Sequence, residues 1–441
     1  MDDSAVEDYS DSFSEDSSEP EEEEFEDAVV GVVDELSPEP VGQLMSVNME
    51  QDQSEEQFDT DLPSLHSYLG AELEVVRGRT VLEDGAIVTL DMLQPADLVL
   101  VPGQTLPLTV FDPPTINMLR GCLRNDRTFG VLASWSDGRN TTINNIGTTA
   151  EIYEYLPDEG SAGFRVKAKA RQRFRMLDPK SNQWKARVRI LPEIKLPDPL
   201  QAVQLQSLNR HRTSPALHLK SRRADAAVTR WPAFVYEQYD VDKLIADIKK
   251  ELSIFSQGQK DKEKEKAPVK VIIPDDPTEL SFWVAQNVPM KEEHRLLLLR
   301  LNSPIQRLRW ELRALQQCRQ VLCCQYCLNM IGCSADMFSM STEGPQSTYV
   351  NPGGYLHETI TLYKVKNVFS IGPPSTEFSW FPGYGWSCCK CKHCNQHVGW
   401  KFTATKSQLK PVKFWGICRR SITVKMGTLQ PADCDNQLLV F

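Results

Sequence analysis

The first 60 residues contain no lysine and no arginine, and the first basic residue of the chain is Arg77. The same stretch holds 22 Asp/Glu. It buries too little apolar surface to offset the entropy of ordering, which predicts an acidic disordered tail over 1–60. The overall net charge of -11 therefore misleads: residues 61–441 carry 49 basic and 38 acidic residues, a mildly basic body. No uninterrupted apolar run approaches the roughly 18 residues of a membrane span, so no transmembrane helix is expected. The N-terminus is acidic where a signal or transit peptide is basic, which predicts a soluble, intracellular protein. No GxxxxGK[ST] loop occurs, which excludes a P-loop nucleotide motor. With 23 Gly and 28 Pro in 441 residues, neither a collagen-like nor a wholly disordered chain is indicated. There is no internal repeat.

Cysteine is scarce outside one region. Of 12 Cys, ten fall between Cys318 and Cys418, leaving Cys122 and Cys434 isolated. Clustered pairs at short spacing in an intracellular chain read as metal ligands before disulfides.

The body changes texture twice. Ile87–Leu90, Leu98–Val101, Leu106–Phe111, Val131–Ser134, Thr149–Tyr155, Phe164–Lys169, Phe174–Leu177 and Ala186–Leu191 read as strands. Between them, Asp112 to Asn125 reads as a helix, with Pro113-Pro114 at its start and Ile116, Leu119 and Leu123 on one face. From about Pro197, Leu200–Leu208, Val241–Leu252, Thr278–Gln286, Glu292–Leu301 and Ile305–Gln317 suit helices, the last with a stripe of Ile305, Leu308, Leu312 and Leu315. The run Lys260–Lys266 reads as a solvated loop. After Cys318 the chain turns aromatic, Gly- and Pro-rich and β-like, with Tyr355–Tyr363 nearly alternating. The expected class is α+β and multidomain: a mixed β-rich domain over 78–194, a helical segment over 195–317, an all-β zinc-stabilised domain over 318–427 and a tail over 428–441.

Cys324-Gln-Tyr-Cys327 and Cys391-Lys-His-Cys394 are two CxxC knuckles. Two thiolates separated by two residues reach one ion, and two such knuckles close a tetrahedral four-thiolate Zn²⁺ site. A closed site has no position for substrate, so the zinc is expected to be structural. Cys323, Cys388, Cys389, His393 and His397 are the neighbouring alternatives.

Ser379-Trp-Phe-Pro-Gly-Tyr-Gly-Trp386 and Gly399-Trp-Lys-Phe402 bring three tryptophans close in sequence, interleaved with glycine. They suit either an aromatic-walled slot or a Trp-rich core. A slot of this kind takes a cation such as methylated lysine, or a flat neutral ring.

At these residues the chain resembles the cereblon family, from about Phe58 to Lys406. Ser67-Tyr-Leu-Gly-Ala71, Pro102-Gly-Gln-Thr-Leu-Pro-Leu108, Asp126-Arg-Thr-Phe129 and Gly147-Thr-Thr-Ala-Glu-Ile-Tyr153 carry it in the first domain, which is similar to the N-terminal domain of Lon proteases. Trp231-Pro232 and Ile305-Gln-Arg-Leu-Arg309 carry it in the helical segment. Tyr349-Val-Asn-Pro352, His357-Glu-Thr359, Pro374-Ser-Thr-Glu377, Ser379–Tyr384, Gly399–Thr405 and Lys413-Phe-Trp-Gly416 carry it in the last domain.

The resemblance implies a non-catalytic substrate receptor of a cullin-4 RING ubiquitin ligase, in cytoplasm and nucleus, docked through the helical segment on the β-propeller adaptor, damage-specific DNA-binding protein. It implies one structural zinc on Cys324, Cys327, Cys391 and Cys394. It implies a pocket walled by Trp380, Trp386 and Trp400, with Phe402 at the base, Tyr384 and Asn351 nearby, and main chain at Phe378 and Trp380 reading an imide. Its ligands would be thalidomide-like glutarimides and C-terminal cyclic imides on proteins. Phe378 and Gly353 stand where the mammalian pattern has His, Cys388 replaces an aliphatic residue, and Cys327–Phe338 is one residue shorter.

Two rival readings follow from single features. The zinc-bearing β-domain is also similar in architecture to methionine sulfoxide reductases, for which Cys418 would be the nucleophile, activated by Arg419 and Arg420. Zinc knuckles with aromatics would suit single-stranded nucleic acid, but basic residues are not concentrated around the tryptophans and Glu377 sits beside them. No direct nucleic-acid partner is expected.

Overall fold

Asp112 shows how local chemistry sets an element. Its carboxylate accepts the Thr115 N–H at 3.0 Å, and the helix Pro113–Arg124 runs from there to Asn125. Proline at the first positions costs nothing where the N–H groups have no helical partner. Ile116, Leu119 and Cys122 turn inward from this helix.

The structure is a computed structural model that describes residues 56–426 apart from 71, 94–97, 137–140, 157–162, 179–183, 258–270 and 318–319. All described residues belong to one unit, Gln53–Phe441. The acidic stretch through residue 55, the run Lys260–Lys266, Cys318, Cys434 and the tail 428–441 lie outside the described residues.

The first domain is a sheet that closes on itself. Its strands lie in the order Glu74–Val75, Thr141–Leu156, Thr128–Ser136, Ile87–Leu93, Lys185–Ile190, Phe164–Met176, Thr105–Val110. Thr141–Leu156 also pairs with Phe164–Met176, which closes the barrel. Only Ile87–Leu93 against Thr128–Ser136 is parallel within this sheet. Inward residues Leu106, Phe129, Val131, Ala150, Ile152, Val166 and Ala168 form one core cluster. Along this strand Val166, Ala168 and Ala170 face inward, and Lys167 between them is also buried and pairs with Glu154 at 2.7 Å.

In the helical segment Val241–Gln257, Pro277–Asn287 and Pro304–Gln317 share a core of Leu244, Ile248, Leu280, Val284, Ile305, Leu308 and Leu315, with Leu312 at its edge. The stripe read from the sequence is thus the buried face.

The last domain is a six-stranded antiparallel sheet in the order Gln346–Val350, Leu356–Leu362, Lys413–Cys418, His397–Ala404, Tyr384–Cys391, Val368–Ser375. A three-stranded sheet, Met330–Cys333, Gln320–Cys324 and Ile422–Met426, carries the first cysteine knuckle.

Four expectations are corrected. Leu98–Val101 is buried but forms no strand: Ser134 N–H and the Thr148 hydroxyl bind the carbonyls of Leu98 and Leu100, and the Gln104 side chain accepts the Val101 N–H. One main-chain N–H and two side chains satisfy this backbone, so no regular ladder is required. Residues 200–208 hold two 3₁₀ turns, Gln201–Val203 and Gln206–Leu208, instead of one helix. Helix Pro215–Ala227 was not expected; its apolar positions are too sparse to signal a face. Finally, residues 56–60 are not tail. Glu56–Gln57 pairs in parallel with Leu409–Lys410, and Phe58 is buried in the last domain's core.

Candidate metal centre and aromatic slot

The two knuckles share one local geometry. Leu328 N–H returns to the Cys324 carbonyl and Asn395 N–H to the Cys391 carbonyl, both at 2.9 Å. Leu328 and Asn395 both take left-handed backbone, with φ of 60°. Each turn therefore presents its two sulfurs on one side. Cys324 Sγ lies 3.6 Å from Cys394 Sγ, and Cys327 Sγ lies 3.6 Å from Cys391 Sγ. All four sulfurs lie within 4.8 Å of one another. Zinc–thiolate bonds of about 2.3 Å in a tetrahedron give sulfur–sulfur edges of about 3.8 Å, so the group fits that ion. Burial pushes the Cys391 thiol up, but N–H groups of Cys394 and His393 and the neighbouring thiols outweigh it and leave it at about 7. His393 is exposed and His397 packs on Trp400 at 4.9 Å, so neither joins the cluster. Cys323, Cys388 and Cys389 also stay outside it.

The tryptophans gather on the other side of the same sheet system. Trp380 and Trp400 meet at 4.7 Å between ring centroids with planes 75° apart. Trp380 also stacks on Tyr349 at 4.9 Å and 9°, and its indole N–H donates to the Val350 carbonyl at 3.3 Å. Trp386 donates its indole N–H to the Glu377 carbonyl at 2.8 Å, pinning the 376–379 turn beside it. Trp386 and Trp400 are half-buried and flank the cluster that contains buried Trp380. Phe402 is fully buried and stacked on Phe414 at 4.9 Å. Tyr384 is equally buried, in the same aromatic cluster, with its hydroxyl donating to the Pro411 carbonyl at 2.9 Å. Asn351 uses its side-chain oxygen to accept the Tyr355 N–H at 2.8 Å, closing its own loop.

His357 was missed as a neighbour of the indoles. Its ring lies 5.0 Å from Trp400 and 5.7 Å from Trp380, and burial holds it neutral, its pKa lowered to about 4. The alternation of Leu356–Leu362 carried the signal, since His357 projects opposite Leu356. Beside the indoles, a cleft of about 1030 Å³ runs between the barrel, at Leu108–Asp112, and the last domain, at Gly353–Glu358 and His397.

Cys418 lines that cleft, and its thiol is buried. Burial pushes its thiol up to about 12 against the pull of Arg420. Arg419 is committed elsewhere, to Glu292 at 2.7 Å, to Gln346 at 2.9 Å and to the Met290 carbonyl. This setting lacks the activation by Arg419 and Arg420 that the sulfoxide reductase reading expects of Cys418.

Residues 89–317 match the family model of the ATP-dependent protease La (LON) substrate-binding domain, and 320–431 match the Yippee zinc-binding/DNA-binding/Mis18 family. Protein cereblon of Gallus gallus is 40% identical over 387 residues, covering 83% of this chain and 84% of the relative. The chain belongs to the cereblon family. Protein cereblon of Danio rerio is likewise 40% identical over 393 residues, covering 84% of this chain and 89% of that one. A solved Lon N-terminal domain protein from Xanthomonas campestris is 19% identical, covers 51% of this chain and 98% of its own, and superposes with a TM-score of 0.30, too low to carry an argument. Membership in the cereblon family agrees with the architecture: Lon-like barrel, helical segment, and all-β domain with four clustered cysteines. The Yippee zinc-binding match and the four-thiol group together fit one structural zinc.

Proposed function

We propose that this cereblon-family chain is the non-catalytic substrate receptor of a cullin-4 RING ubiquitin ligase, acting in cytoplasm and nucleus. It binds the β-propeller adaptor, damage-specific DNA-binding protein, through the helical middle, and the adaptor links it to cullin and RING subunit. It recruits proteins carrying a C-terminal cyclic imide, or proteins presented by thalidomide-like glutarimides, for ubiquitination and degradation. No nucleic acid takes part directly. The observation that carries the reading is the near-perpendicular contact of Trp380 and Trp400 with Trp386 alongside, on a fixed backbone turn.

A small flat imide between indole faces gains apolar burial, while its N–H and carbonyls meet main-chain groups at Phe378 and Trp380. Zinc, held by Cys324, Cys327, Cys391 and Cys394, supplies only the closed clamp that couples metal binding to folding of this domain. The adaptor assignment is supported by Trp231, 59% exposed, and Phe234, 64% exposed, on the helical segment. Large aromatics left in solvent are typical anchors of interfaces.

The test is affinity capture of the full chain from cells with mass spectrometry. Adaptor, cullin-4 and RING subunit are expected in stoichiometric recovery, reduced at least about tenfold for a Trp231→Ala, Phe234→Ala double variant. Capture without any cullin-ligase component would defeat the proposal.

A further inference from the structure

Thr213 stands in a frame that occurs once in the sequence: Arg210 precedes it by three residues and Pro215 follows it by two. Both Thr213 and Arg210 are exposed. The Thr213 hydroxyl donates to the Arg210 carbonyl at 3.3 Å, a local bond that water replaces at little cost. Arg210 meets its neighbour, the His211 ring, at 3.3 Å and forms no ion pair among the described residues. Ser303 has the same upstream arginine, in Arg300, but it is 3% exposed and proline follows it directly.

The surrounding chain is cationic and shallowly held. Between Asp198 and Asp225 it carries Arg210, Arg212, Lys220, Arg222 and Arg223 and no Asp or Glu. The turns Gln201–Val203 and Gln206–Leu208 and the single-turn helix Asn209–Arg212 bury no residue. A stretch without buried side chains opens locally at low cost. Its main clasp is Arg212, whose guanidinium meets Asp225 at 2.6 and 2.8 Å and the Leu205 carbonyl at 2.8 Å. Ser214 is already extended, with φ of -88° and ψ of 120°, as a residue before proline prefers.

We propose that Thr213 is a phosphorylation site for an arginine-directed protein kinase, and that the phosphorylated segment is the ligand of a phosphothreonine-reading protein with an arginine cluster. In the transfer, the bond between Thr213 Oγ1 and the γ-phosphorus of ATP forms and the bond from that phosphorus to the β–γ bridging oxygen breaks. ADP leaves, and the hydroxyl proton passes to the carboxylate base of the kinase. Arg210, three residues upstream in a run without acids, complements an acidic kinase groove. The product carries about two negative charges and three acceptor oxygens. One residue from Arg212, it offers that guanidinium a second anion and loosens the clasp on Asp225. The opened segment then presents a dianion to clustered arginines, and Pro215 limits the path of the chain after it.

The test uses the full zinc-loaded chain, ATP and a calmodulin-dependent protein kinase, with sites mapped by mass spectrometry. Thr213 should be filled and Ser303 left bare, and Arg210→Ala should slow reaction at Thr213 at least about tenfold. In calorimetry the phosphorylated chain should bind a 14-3-3 dimer at least about a hundredfold tighter than the unmodified chain does. Pro215→Ala should keep the phosphate and lose about fivefold of that affinity, whereas Thr213→Ala should lose both. A peptide spanning 207–219 controls for kinase activity. Modification of the peptide with Thr213 of the chain untouched would show the site closed in the fold and overturn the proposal. So would a peptide that the kinase ignores, or a phosphorylated chain that binds the dimer no better than the unmodified one. Equal phosphate on Ser303 would overturn exposure as the selecting feature.

Discussion

The ring of Phe58 meets that of Tyr384 edge-on, with centroids 5.3 Å apart and planes 79° apart. One residue belongs to a segment read from the sequence as tail, the other to the turn that begins the slot's strand. The segment that carries Phe58 also reaches the barrel, where Arg165 donates to the Leu69 carbonyl at 2.7 Å and Lys167 to the Leu65 carbonyl.

A deletion series should expose this. Removing residues 1–55 should change unfolding free energy by less than about 0.5 kcal/mol, since it touches no described packing. Phe58→Ala should cost about 3 kcal/mol, because it empties an aromatic site in a buried cluster. Chemical denaturation followed by tryptophan fluorescence reads both, and equal stability of Phe58→Ala and wild type would return the segment to the tail.

His66 gives that segment a pH signature. Its pKa is lowered from 6.5 to about 4, first by burial and then by Lys167 and Lys169, with Glu343 opposing. Between pH 6.5 and about 4 the unfolded chain binds a proton that the folded chain refuses. Stability therefore falls as pH falls through that window, by up to about 3 kcal/mol from this group. Above pH 6.5 the group is silent. Melting temperatures across pH 4–7 should fall more steeply for wild type than for His66→Gln; parallel profiles would rule the histidine out.

Metal and fold should leave the last domain together. Native mass spectrometry should give one Zn²⁺ per chain, absent from a Cys391→Ser, Cys394→Ser double variant, whose near-ultraviolet tryptophan dichroism should also collapse. Stoichiometric zinc in that variant would transfer the site to Cys388 or Cys389.

The slot should distinguish a donor from its methylated form. Glutarimide should bind, while N-methylglutarimide, which offers no N–H and adds bulk, should lose at least about a hundredfold. Trp386→Ala should abolish binding and keep its zinc. Tighter binding of a trimethyllysine peptide than of glutarimide would convert the slot into a cation cage.

What could be read from sequence was whatever local chemistry dictates. Four cysteines at CxxC spacing have few other uses, and the helix at Pro113–Arg124 announced itself through Asp112 and its paired prolines. The stripe from Ile305 to Leu315 needed only helical geometry. The misses share a different cause: a distant partner decided them. Phe58 is ordered by Tyr384, over 300 residues away. Leu98–Val101 gave up strand pairing because Ser134, Thr148 and Gln104 met its backbone. Cys418 lost its apparent activation because burial outweighs the pull of Arg420, while Arg419, adjacent in sequence, turns to Glu292. Tyr384 stands within the Trp-rich motif, yet its hydroxyl is drawn to Pro411.

The seam between the helical segment and the last domain is written in hydrogen bonds. Arg295 holds Glu358 at 2.9 Å, Arg419 holds Glu292, and the Asn287 amide grips both the Gln346 N–H and the Glu343 carbonyl at 3.1 Å. Arg295, Glu358 and Arg419 are buried here, so loss of any one partner leaves an uncompensated charge, at a cost of about 3–5 kcal/mol. A surface of this kind fixes the angle between two bodies by directional bonds, each of which is lost if that angle changes. Parting the two bodies would strand Arg295, which is fully buried, without its Glu358 partner, so the seam holds one angle and penalises the others.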